Sequence, residues 1–327
     1  MPSITYFNRD KRVGNYSIEE LFSSIRSEIT SDWNMHDYSY DAQKGYWRAI
    51  REVHRYESDV NHITGDVNFL AYGLTPRKTI LTVHDIGHYE QTLKGWKKAV
   101  YKQLWLRGPF QRVNYLTAIS EFSKKRIIHH FGIEPSKIRV IPNPCPNVFS
   151  ADPQIFNKTC PKILQIGGGH NKNVNRLLEA VRGINCELIL IRPYDEGLEK
   201  KLKAYSIHYT WLSHLAYDVV VDQYKACDLV FFASEYEGFG MPILEANATG
   251  RPVLTGNITA MPEVASDAAC LVDPFDVKAI RNGLLKIINE EEYRQELVAK
   301  GYENVKRFKL TAVSNSYQEL YQHVVRQ

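Results

Sequence analysis

The sequence predicts an α/β protein made of two doubly wound domains. Short, continuously apolar runs alternate with helical patterns along the 327 residues, as expected of parallel strands that are buried on both faces by crossover helices. A chain of this length favours two domains. Four prolines between residues 142 and 153 interrupt regular structure. We therefore expect a first domain over residues 1–150 and a second over 151–310.

The elements that support this prediction are bounded by clear local signals. The predicted strands are 3–7, 60–63, 79–83 and 116–119 in the first half, and 162–166, 187–191, 229–233 and 252–254 in the second. Ser120 is the predicted N-cap of a helix at 121–131 that ends at Gly132. Pro242 suits the first turn of a helix that closes at Gly250.

Positive charge is concentrated in the first half of the chain. Residues 1–150 carry 21 Lys or Arg against 15 Asp or Glu, and the remainder carries 20 against 22. Residues 94–139 hold 11 bases and two acids, Glu121 and Glu134. This pattern fits a solvated helical surface, or a surface for an anionic partner such as a lipid membrane or a phosphorylated acceptor. A nucleic-acid partner is not expected, because no binding motif is present.

Other features of the composition bear on location and cofactors. The five cysteines are scattered without a CxxC pair, which is typical of buried free thiols in a reducing compartment. We see no apolar stretch of the length of a signal peptide or a membrane span. The expected location is therefore cytoplasmic. No cluster of His, Cys, Asp or Glu has the spacing of metal ligands, and no metal or cofactor is expected.

Residues 234–250, SEYEGFGMPILEANATG, follow a predicted strand and open a helix. The glycine-rich turn leaves backbone N–H groups free at the positive end of that helix, which favours binding of an anion such as a diphosphate. Glu237 precedes the turn and Glu245 falls about one turn into the predicted helix, so both carboxylates can face one crevice. Because carboxylates repel phosphate, they are expected to accept hydrogen bonds from hydroxyls. The alternative is a tight strand–helix turn with solvated acids.

A second glycine-rich segment follows the strand predicted at 162–166. Three glycines, 167–169, precede His170-Asn171-Lys172-Asn173, which we expect to open a helix. Glycines allow a backbone to approach phosphate closely, and Lys172 adds a positive charge. The segment is neither GxGxxG nor a P-loop. A plain strand–helix turn is the alternative.

Two positions in the first half are further candidates. His84 comes directly after the strand predicted at 79–83, beside Asp85, where a side chain can act as an acid, a base or a hydrogen-bonding group. A structural histidine is the alternative, and His62 is a weaker candidate still. Gly14 follows the first strand and can let the backbone approach a ligand. A flexible loop explains Gly14 equally well.

Four segments carry a resemblance to a known family. TVHD, TAISEFSKKRII with GIEPSKIRVIPN, KNVNRLLEAV and EGFGMPILEA occur in this order. They resemble glycosyltransferase family 4, the retaining enzymes of GT-B fold also called glycosyl transferases group 1. The resemblance extends from about residue 59 to the end, and Glu237 and Glu245 match the E-x7-E motif of the family. It implies two Rossmann-like domains facing a central cleft, with a C-terminal helix, about 311–327, packed back on the first domain.

The resemblance also implies roles on the side of the sugar donor. Glu237 would contact donor-sugar hydroxyls, and Glu245 would bind the ribose. The backbone at Phe239, Gly240 and Met241 would approach the sugar and the diphosphate.

Further roles are implied for four residues elsewhere in the chain. Lys172 would stabilise the leaving diphosphate, His84 would lie near the sugar and the acceptor, and Gly14 would belong to an N-terminal glycine loop. Gly168 stands where many members have an arginine, so neutralisation would rest more on Lys172 and on backbone amides. The first 60 residues are short for the family.

The resulting hypothesis is a metal-independent, retaining hexosyltransferase of polysaccharide or glycoconjugate biosynthesis. Its donor would be a nucleotide-diphosphate sugar, with UDP expected and GDP or ADP open, and its acceptor a glycan or a lipid-linked molecule. Peripheral contact with the anionic inner face of the membrane is expected from the basic segment. The alternatives are an inactive nucleotide-sugar-binding protein and a dinucleotide-dependent oxidoreductase. The missing GxGxxG argues against the latter.

Overall fold

A computed structural model describes residues 1–9, 17–29 and 32–327. The chain divides into two compact units, Met1–Pro144 together with Lys309–Gln327, and Cys145–Phe308. Each unit contains a six-stranded sheet in which the paired strands are parallel. The predicted α/β class with two Rossmann-like sheets is confirmed. Gly14, the predicted glycine-loop residue, lies outside the described residues.

The sheet of the first unit has the order β2-β1-β3-β4-β5-β6. Its strands are β1 (Ser3–Asn8), β2 (Asn34–Ser39), β3 (Val60–Ile63), β4 (Thr79–Val83), β5 (Tyr115–Ala118) and β6 (Ile138–Val140). Both faces of this sheet are covered, since the adjacent β1 residues Tyr6 and Phe7 belong to different core clusters. Such double burial explains the continuous apolar runs of the central strands.

The sheet of the second unit has the order β12-β11-β10-β7-β8-β9. Its strands are β7 (Lys162–Ile166), β8 (Glu187–Ile191), β9 (His208–Leu212), β10 (Leu229–Phe232), β11 (Val253–Gly256) and β12 (Cys270–Val272). Read from β9, this is the strand order of dinucleotide-binding Rossmann sheets.

Helices connect the strands. The α-helices are α1 (Ser17–Ser27), α2 (Tyr46–Glu52), α3 (Gly95–Tyr101), α4 (Gly108–Arg112), α5 (Glu121–Phe131), α6 (Val174–Val181), α7 (Glu196–Ala204), α8 (Tyr217–Ala226), α9 (Met241–Thr249), α10 (Met261–Ala265), α11 (Val277–Asn289), α12 (Glu291–Val305) and α13 (Leu310–Arg326). Short 3₁₀ turns span Ala42–Lys44, Val53–Tyr56, Asn68–Gly73, Pro76–Lys78, Pro135–Lys137, His170–Lys172 and Lys306–Phe308, and π-helical turns span His88–Thr92 and Lys102–Arg107. Within the described ranges, no helix is long and apolar enough to cross a bilayer.

The predicted helix ends correspond to specific cap contacts. The Ser120 side chain accepts a hydrogen bond from the backbone N–H of Ser123, and Gly132 ends α5 in the left-handed conformation. Gly250 closes α9 in the same way. The last helix, α13, lies in the first unit, where the rings of Tyr317 and Tyr321 contact that of His62.

Strand order determines where each sheet can bind a ligand. In the second unit the chain proceeds outward from β7 through β8 to β9, and then returns to β10 on the other side of β7. The loops after β7 and β10 therefore diverge at a topological switch point, which is where open α/β sheets form their binding crevices. In the first unit the corresponding point lies between β1 and β3.

Candidate functional site

Lys172 and Glu237 form an ion pair at the switch point of the second unit. Lys172 ends the 3₁₀ turn that follows β7, and Glu237 lies in the loop after β10. The Lys172 Nζ donates a hydrogen bond to the Glu237 Oε1 at 2.7 Å, and the two side chains are 20% and 15% exposed. The same ammonium lies 4.9 Å from the centroid of the Phe232 ring. Two residues selected separately from the sequence thus occupy one site.

The glycines after β7 make room for the Lys172 side chain and for the next strand end. Gly167 has φ of 100°, and a Cβ there would lie 2.8 Å from the Lys172 Cε. A Cβ on Gly168 would lie 2.5 Å from the Pro193 Cδ. A side chain at position 168 would therefore collide with the segment after β8. This contact gives a physical reason for a glycine where the resembling family has an arginine.

The helix expected to open at His170 begins instead at Val174. A 3₁₀ turn over His170–Lys172 precedes it, and Asn173 adopts the left-handed conformation with φ of 58°. Asparagine adopts this conformation more readily than most residues. The Asn173 Nδ2 donates hydrogen bonds to the carbonyls of Ala233, at 3.0 Å, and Pro274, at 2.6 Å. The loop that carries Lys172 is thereby attached to the end of β10.

Asn171 joins the two loops at a second point, which sequence reasoning missed. Its Nδ2 donates to the Tyr236 carbonyl at 2.8 Å and to the Glu237 Oε1 at 3.3 Å. The backbone carbonyl of Asn171 accepts a hydrogen bond from the backbone N–H of Glu235 at 2.7 Å. Glu235 in turn pairs with Arg176 of α6. Two asparagines within the three residues 171–173 were the available signal, since asparagine favours turns.

The start of α9 presents backbone donors beside this pair. Gly240, with φ of 124°, occupies the N-cap position and has no side chain with which to cap the helix. The first N–H groups of a helix lack intrahelical acceptors and attract anions. The Phe239 ring is 5% exposed and packs against Phe308 at 5.7 Å. Its side chain therefore supports the turn, and its backbone is the part that can meet a ligand.

Glu245 is a buried acid on α9. It is 9% exposed, and one oxygen accepts a hydrogen bond from the Tyr224 hydroxyl of α8 at 2.5 Å. Burial raises the pKa of Glu245 to about 7, against the lowering effects of the Tyr224 bond and of the Lys172 charge. Neither Glu245 nor Glu237 is the solvated surface acid of the alternative interpretation. Tyr224 was missed, because it lies on a separate helix with no motif of its own.

A small cavity lies beside the glycine loop. Its volume is about 290 Å³, and Gly168, Gly169, His170, Arg192 and Lys201 contribute to its lining. The Arg192 Nε is buried and has no hydrogen-bond partner among the described residues. Burial lowers the pKa of Arg192. Sequence reasoning also missed this arginine, whose one distinguishing feature is its place directly after the buried strand β8.

In the first unit, His84 lies at the carboxyl end of β4. Its Nε2 is 2.7 Å from the Thr64 carbonyl, so in the neutral ring Nε2 carries the proton and Nδ1 is the basic nitrogen. His62 differs. It is fully buried, and its nitrogens bond the Tyr321 hydroxyl at 2.8 Å and the Thr82 hydroxyl at 2.7 Å. Burial lowers the pKa of His62 to about 3, as expected of a structural histidine.

The second unit has the strand order of nucleotide-binding Rossmann sheets, with polar groups gathered at its switch point. Comparison with known protein families shows to which family the chain belongs. The family described as glycosyl transferases group 1 matches residues 151–304, and that described as glycosyltransferase family 4 matches residues 23–146. The chain belongs to the group 1 glycosyltransferases of family 4.

Two relatives from Escherichia coli are named as mannosyltransferases. O-antigen chain mannosyltransferase B is 27% identical over 263 residues, which cover 71% of this chain and 66% of that protein. The serotype-specific mannosyltransferase WbdA is 23% identical over 254 residues, covering 68% of this chain and 31% of that protein. The chain thus matches less than two thirds of the length of either relative.

Solved structures share the fold across the whole chain. Sucrose-phosphate synthase from Thermosynechococcus elongatus has a TM-score of 0.79 at 15% identity, covering 99% of each chain. HepE from Anabaena, in complex with UDP and glucose, has a TM-score of 0.79 at 15% identity, covering 99% of this chain and 100% of that one. The predicted GT-B fold class is confirmed.

Proposed function

We propose that this protein transfers a hexose from a nucleotide-diphosphate sugar to a hydroxyl of a glycan or a lipid-linked acceptor. The observation that carries the proposal is the juxtaposition of Lys172, Glu237 and the start of α9 at one switch point. A diphosphate needs cations and N–H donors, whereas a sugar needs acceptors for its hydroxyls. The site offers both kinds of group.

The diphosphate would lie against the N-terminus of α9, with the backbone of Gly240 and Met241 donating hydrogen bonds. Lys172 supplies a positive charge from the opposite loop. Arg192 is a further cation beside Gly168, with a buried Nε that lacks a partner among the described residues. In this proposal, Arg192 compensates for the side chain that Pro193 excludes at position 168.

The two carboxylates would divide the hydroxyls between them. Glu237 would accept hydrogen bonds from the transferred sugar, and Glu245 would accept them from the ribose. Support for the first role comes from the ion pair, since a diphosphate bound by Lys172 would lie next to Glu237, as would the sugar attached to it. Support for the second is the position of Glu245 on α9, within the influence of the same lysine charge.

The transfer itself is proposed to retain the anomeric configuration. The bond between the anomeric carbon and the diphosphate oxygen breaks, and its electron pair leaves with the diphosphate. The acceptor oxygen bonds the same carbon on the same face, and its proton passes to the departing diphosphate oxygen. Lys172 and the amides of α9 stabilise the charge that develops on this oxygen. The family resemblance, rather than a particular contact, motivates retention.

Metal independence is a separate part of the proposal. Lys172, Arg192 and the start of α9 together supply the positive charge that Mg²⁺ provides in other nucleotide-diphosphate sites. We expect EDTA to leave turnover unchanged. Loss of activity that Mg²⁺ or Mn²⁺ restores would refute this part alone.

The identity of the sugar can be approached through the relatives. Both Escherichia coli proteins are named mannosyltransferases, so mannose is the first sugar to test. UDP is the nucleotide we expect, with GDP and ADP sugars tested in parallel. On the acceptor side, His84 is proposed to lie near the sugar and the incoming hydroxyl, with Nδ1 as its basic nitrogen.

A screen of nucleotide sugars for nucleotide release tests the activity. We expect release from one donor, and NMR of the product should show the anomeric configuration of that donor. An inverted product would contradict retention. Binding without release would favour the inactive sugar-nucleotide binder, and an absorbance change with NAD or NADP would favour the oxidoreductase.

A further inference from the structure

The first unit carries an exposed apolar stripe on one continuous helical run. Helix α3, the π-helical turn Lys102–Arg107 and α4 follow one another without a break over residues 95–112. One side of this run is buried through Leu106 and Phe110, which are 3% and 0% exposed. Trp96, Val100 and Leu104 are 73%, 44% and 49% exposed. Their spacing of four residues places them along one side of the run.

A second exposed tryptophan lies next to this run. Helix α2 packs against it, with the rings of Tyr46 and Trp105 5.0 Å apart and nearly perpendicular. Trp47, directly after Tyr46, is 79% exposed. Two large indole rings are thus presented to solvent by neighbouring helices of the same unit, and the residues that the structure describes do not cover them.

Basic side chains surround these apolar groups. Residues 91–120 contain no Asp or Glu. The exposed bases of residues 44–55 and 94–107 are Lys44, Arg48, Arg51, Arg55, Lys94, Lys97 and Arg107, of which Arg48 pairs with Glu52 at 2.7 Å. Four of them, Lys44, Arg48, Arg51 and Arg55, contribute to the lining of a hollow of about 590 Å³ beside Trp47. These bases, with Trp47, Trp96, Val100 and Leu104, are called the aromatic–basic surface below.

Some bases of the predicted basic segment, residues 94–139, are engaged in contacts within the first unit. Arg112 donates to the Ala71 carbonyl at 2.8 Å, Lys137 to the Gln111 carbonyl at 2.8 Å, and Arg139 pairs with Glu319 at 2.8 Å. Arg126 pairs with Glu90. These four bases of segment 94–139 serve contacts within the fold. Of the other exposed bases of this segment, Lys94, Lys97 and Arg107 lie on the helical run that carries Trp96 or directly before it, and Lys125 lies on α5.

We propose that the aromatic–basic surface binds the anionic face of a lipid bilayer. Indole rings favour the region of the headgroups, and Lys and Arg gain from anionic lipids. The aliphatic Val100 and Leu104 decide between partners: they gain from contact with acyl chains, whereas bases of a nucleic acid would stack only on the indoles. A second copy of the chain that bound through the same surface would bring its basic side chains against those of the first copy, and like charges repel. The proposal stands independently of the glycosyl transfer, because no residue of the transfer site takes part.

Sedimentation of the full chain with vesicles tests the proposal. We expect binding to vesicles of phosphatidylglycerol and phosphatidylcholine, and much weaker binding to phosphatidylcholine alone. Raising salt from about 0.1 M to about 1 M shortens the Debye length from about 10 to about 3 Å, so binding should fall. Brominated acyl chains should quench tryptophan fluorescence in the bound protein.

Two pairs of variants separate the contributions. Trp47→Ala with Trp96→Ala should weaken binding by about tenfold or more and remove the quenching, and Ile155→Ala is the control, since Ile155 is 96% exposed in the second unit. Lys94→Glu with Lys97→Glu should also weaken binding by at least about tenfold, because each base near an anionic leaflet contributes about fivefold. The exposed pair Lys158→Glu and Lys278→Glu makes the same change of net charge in the second unit and should bind as the wild type does.

Three results would overturn the proposal. One is no binding to anionic vesicles at low salt by wild-type protein. Another is equal weakening by the variants of the aromatic–basic surface and by their controls, which would indicate a general charge effect. The third is loss of self-association or of DNA binding, rather than of vesicle binding, in the tryptophan variant. Thermal melts of all variants would show that they remain folded, as expected for exposed positions.

Discussion

The ammonium of Lys172 donates to the carboxylate of Glu237 across 2.7 Å, and this contact joins the loops after β7 and β10. Each residue was selected from the sequence for a separate task, the lysine for a diphosphate and the glutamate for a sugar. The ion pair makes these tasks dependent on each other. A lysine held by a partly buried carboxylate is positioned before the donor arrives, which lowers the cost of ordering it on binding.

Substitution of Lys172 by alanine should lower kcat by at least about 10- to 100-fold, since a charge-assisted hydrogen bond is worth roughly 1.5–3 kcal/mol and the charge on the leaving group grows in the transition state. Glu237→Ala should also lower kcat strongly. Because the two side chains pair directly, the fold decrease of kcat in the double variant should be smaller than the product of the two single fold decreases.

A matched control for this coupling is Glu235→Ala, which removes an acid of the same loop that pairs with Arg176 instead. In the double variant of Glu235→Ala and Lys172→Ala, the fold decrease of kcat should equal the product of the two single fold decreases. Kinetics of the single and double variants give the measurement, with melts to verify folding. Independent effects of Lys172 and Glu237 would show that their contact has no part in turnover.

Glu245→Ala should raise the donor KM more than it lowers kcat. A ribose contact is similar in the ground state and the transition state, so its loss weakens binding uniformly. Tyr224→Phe keeps the ring and removes the hydroxyl that bonds Glu245, and we expect the same kind of change with a smaller size. A fall of kcat at unchanged KM in Glu245→Ala would contradict the ribose assignment.

The burial of Glu245 predicts a pH dependence of stability. Its pKa is raised from 4.5 to about 7 in the folded protein, so between these values the folded state holds a proton that the unfolded state has released. The stability contributed by this group is therefore fully present below pH 4.5 and is lost as the pH rises through 7, by about 3 kcal/mol.

Glu245→Gln removes this titration. Relative to wild type, the variant should gain stability as the pH rises from about 4.5 to about 7, measured by urea unfolding at a series of pH values. Glu292→Gln, an exposed position on α12, controls for the loss of one carboxylate. A difference between wild type and Glu245→Gln that does not change with pH would show that Glu245 titrates normally.

Ser266 offers a test of backbone strain. It follows α10 with φ of 50° and ψ of −124°, a conformation that a residue with a Cβ adopts at a cost of order 1–3 kcal/mol. Ser266→Gly should therefore raise stability by about 1 kcal/mol, after the greater entropy of glycine in the unfolded chain is subtracted. The control is Ser23→Gly, exposed within α1, which should cost about 0.5 kcal/mol. Equal destabilisation by both changes would contradict the strain.

The central strands could be predicted from the sequence, and the edge strands could not. The predicted strands correspond to β1, β3, β4, β5, β7, β8, β10 and β11; four of them have the predicted ends, and the ends of the other four differ by at most two residues. The four strands that were missed, β2, β6, β9 and β12, form the edges of the described sheets. A strand such as β2, NMHDYS, has no buried residue and lacks the continuous apolar pattern that double burial imposes.

The candidate site shows a similar division. Lys172 and Glu237 were recognisable because each lies by a glycine-rich turn after an apolar run. Their pairing depends on β7 and β10 being neighbours in the sheet, which the local sequence does not encode. The prediction that the helix includes Asn173 was wrong. The left-handed backbone of this residue depends on hydrogen bonds to Ala233 and Pro274, which are distant in the sequence.

Isothermal titration of nucleoside diphosphates into the protein tests the central claim most directly, because it needs neither the sugar nor the acceptor. We predict that one of UDP, GDP and ADP binds saturably at a single site, and that Lys172→Ala and Arg192→Ala each weaken this binding, by about tenfold or more for a lost charge-assisted bond. The control is Lys201→Ala, which should change this binding little. Lys201 donates to Asn175 at 2.7 Å and lies at the edge of the cavity beside Gly168 that Arg192 also lines. If no nucleoside diphosphate binds to the folded protein, or if Lys172→Ala binds it as wild type does, the switch point of the second unit is not a donor site.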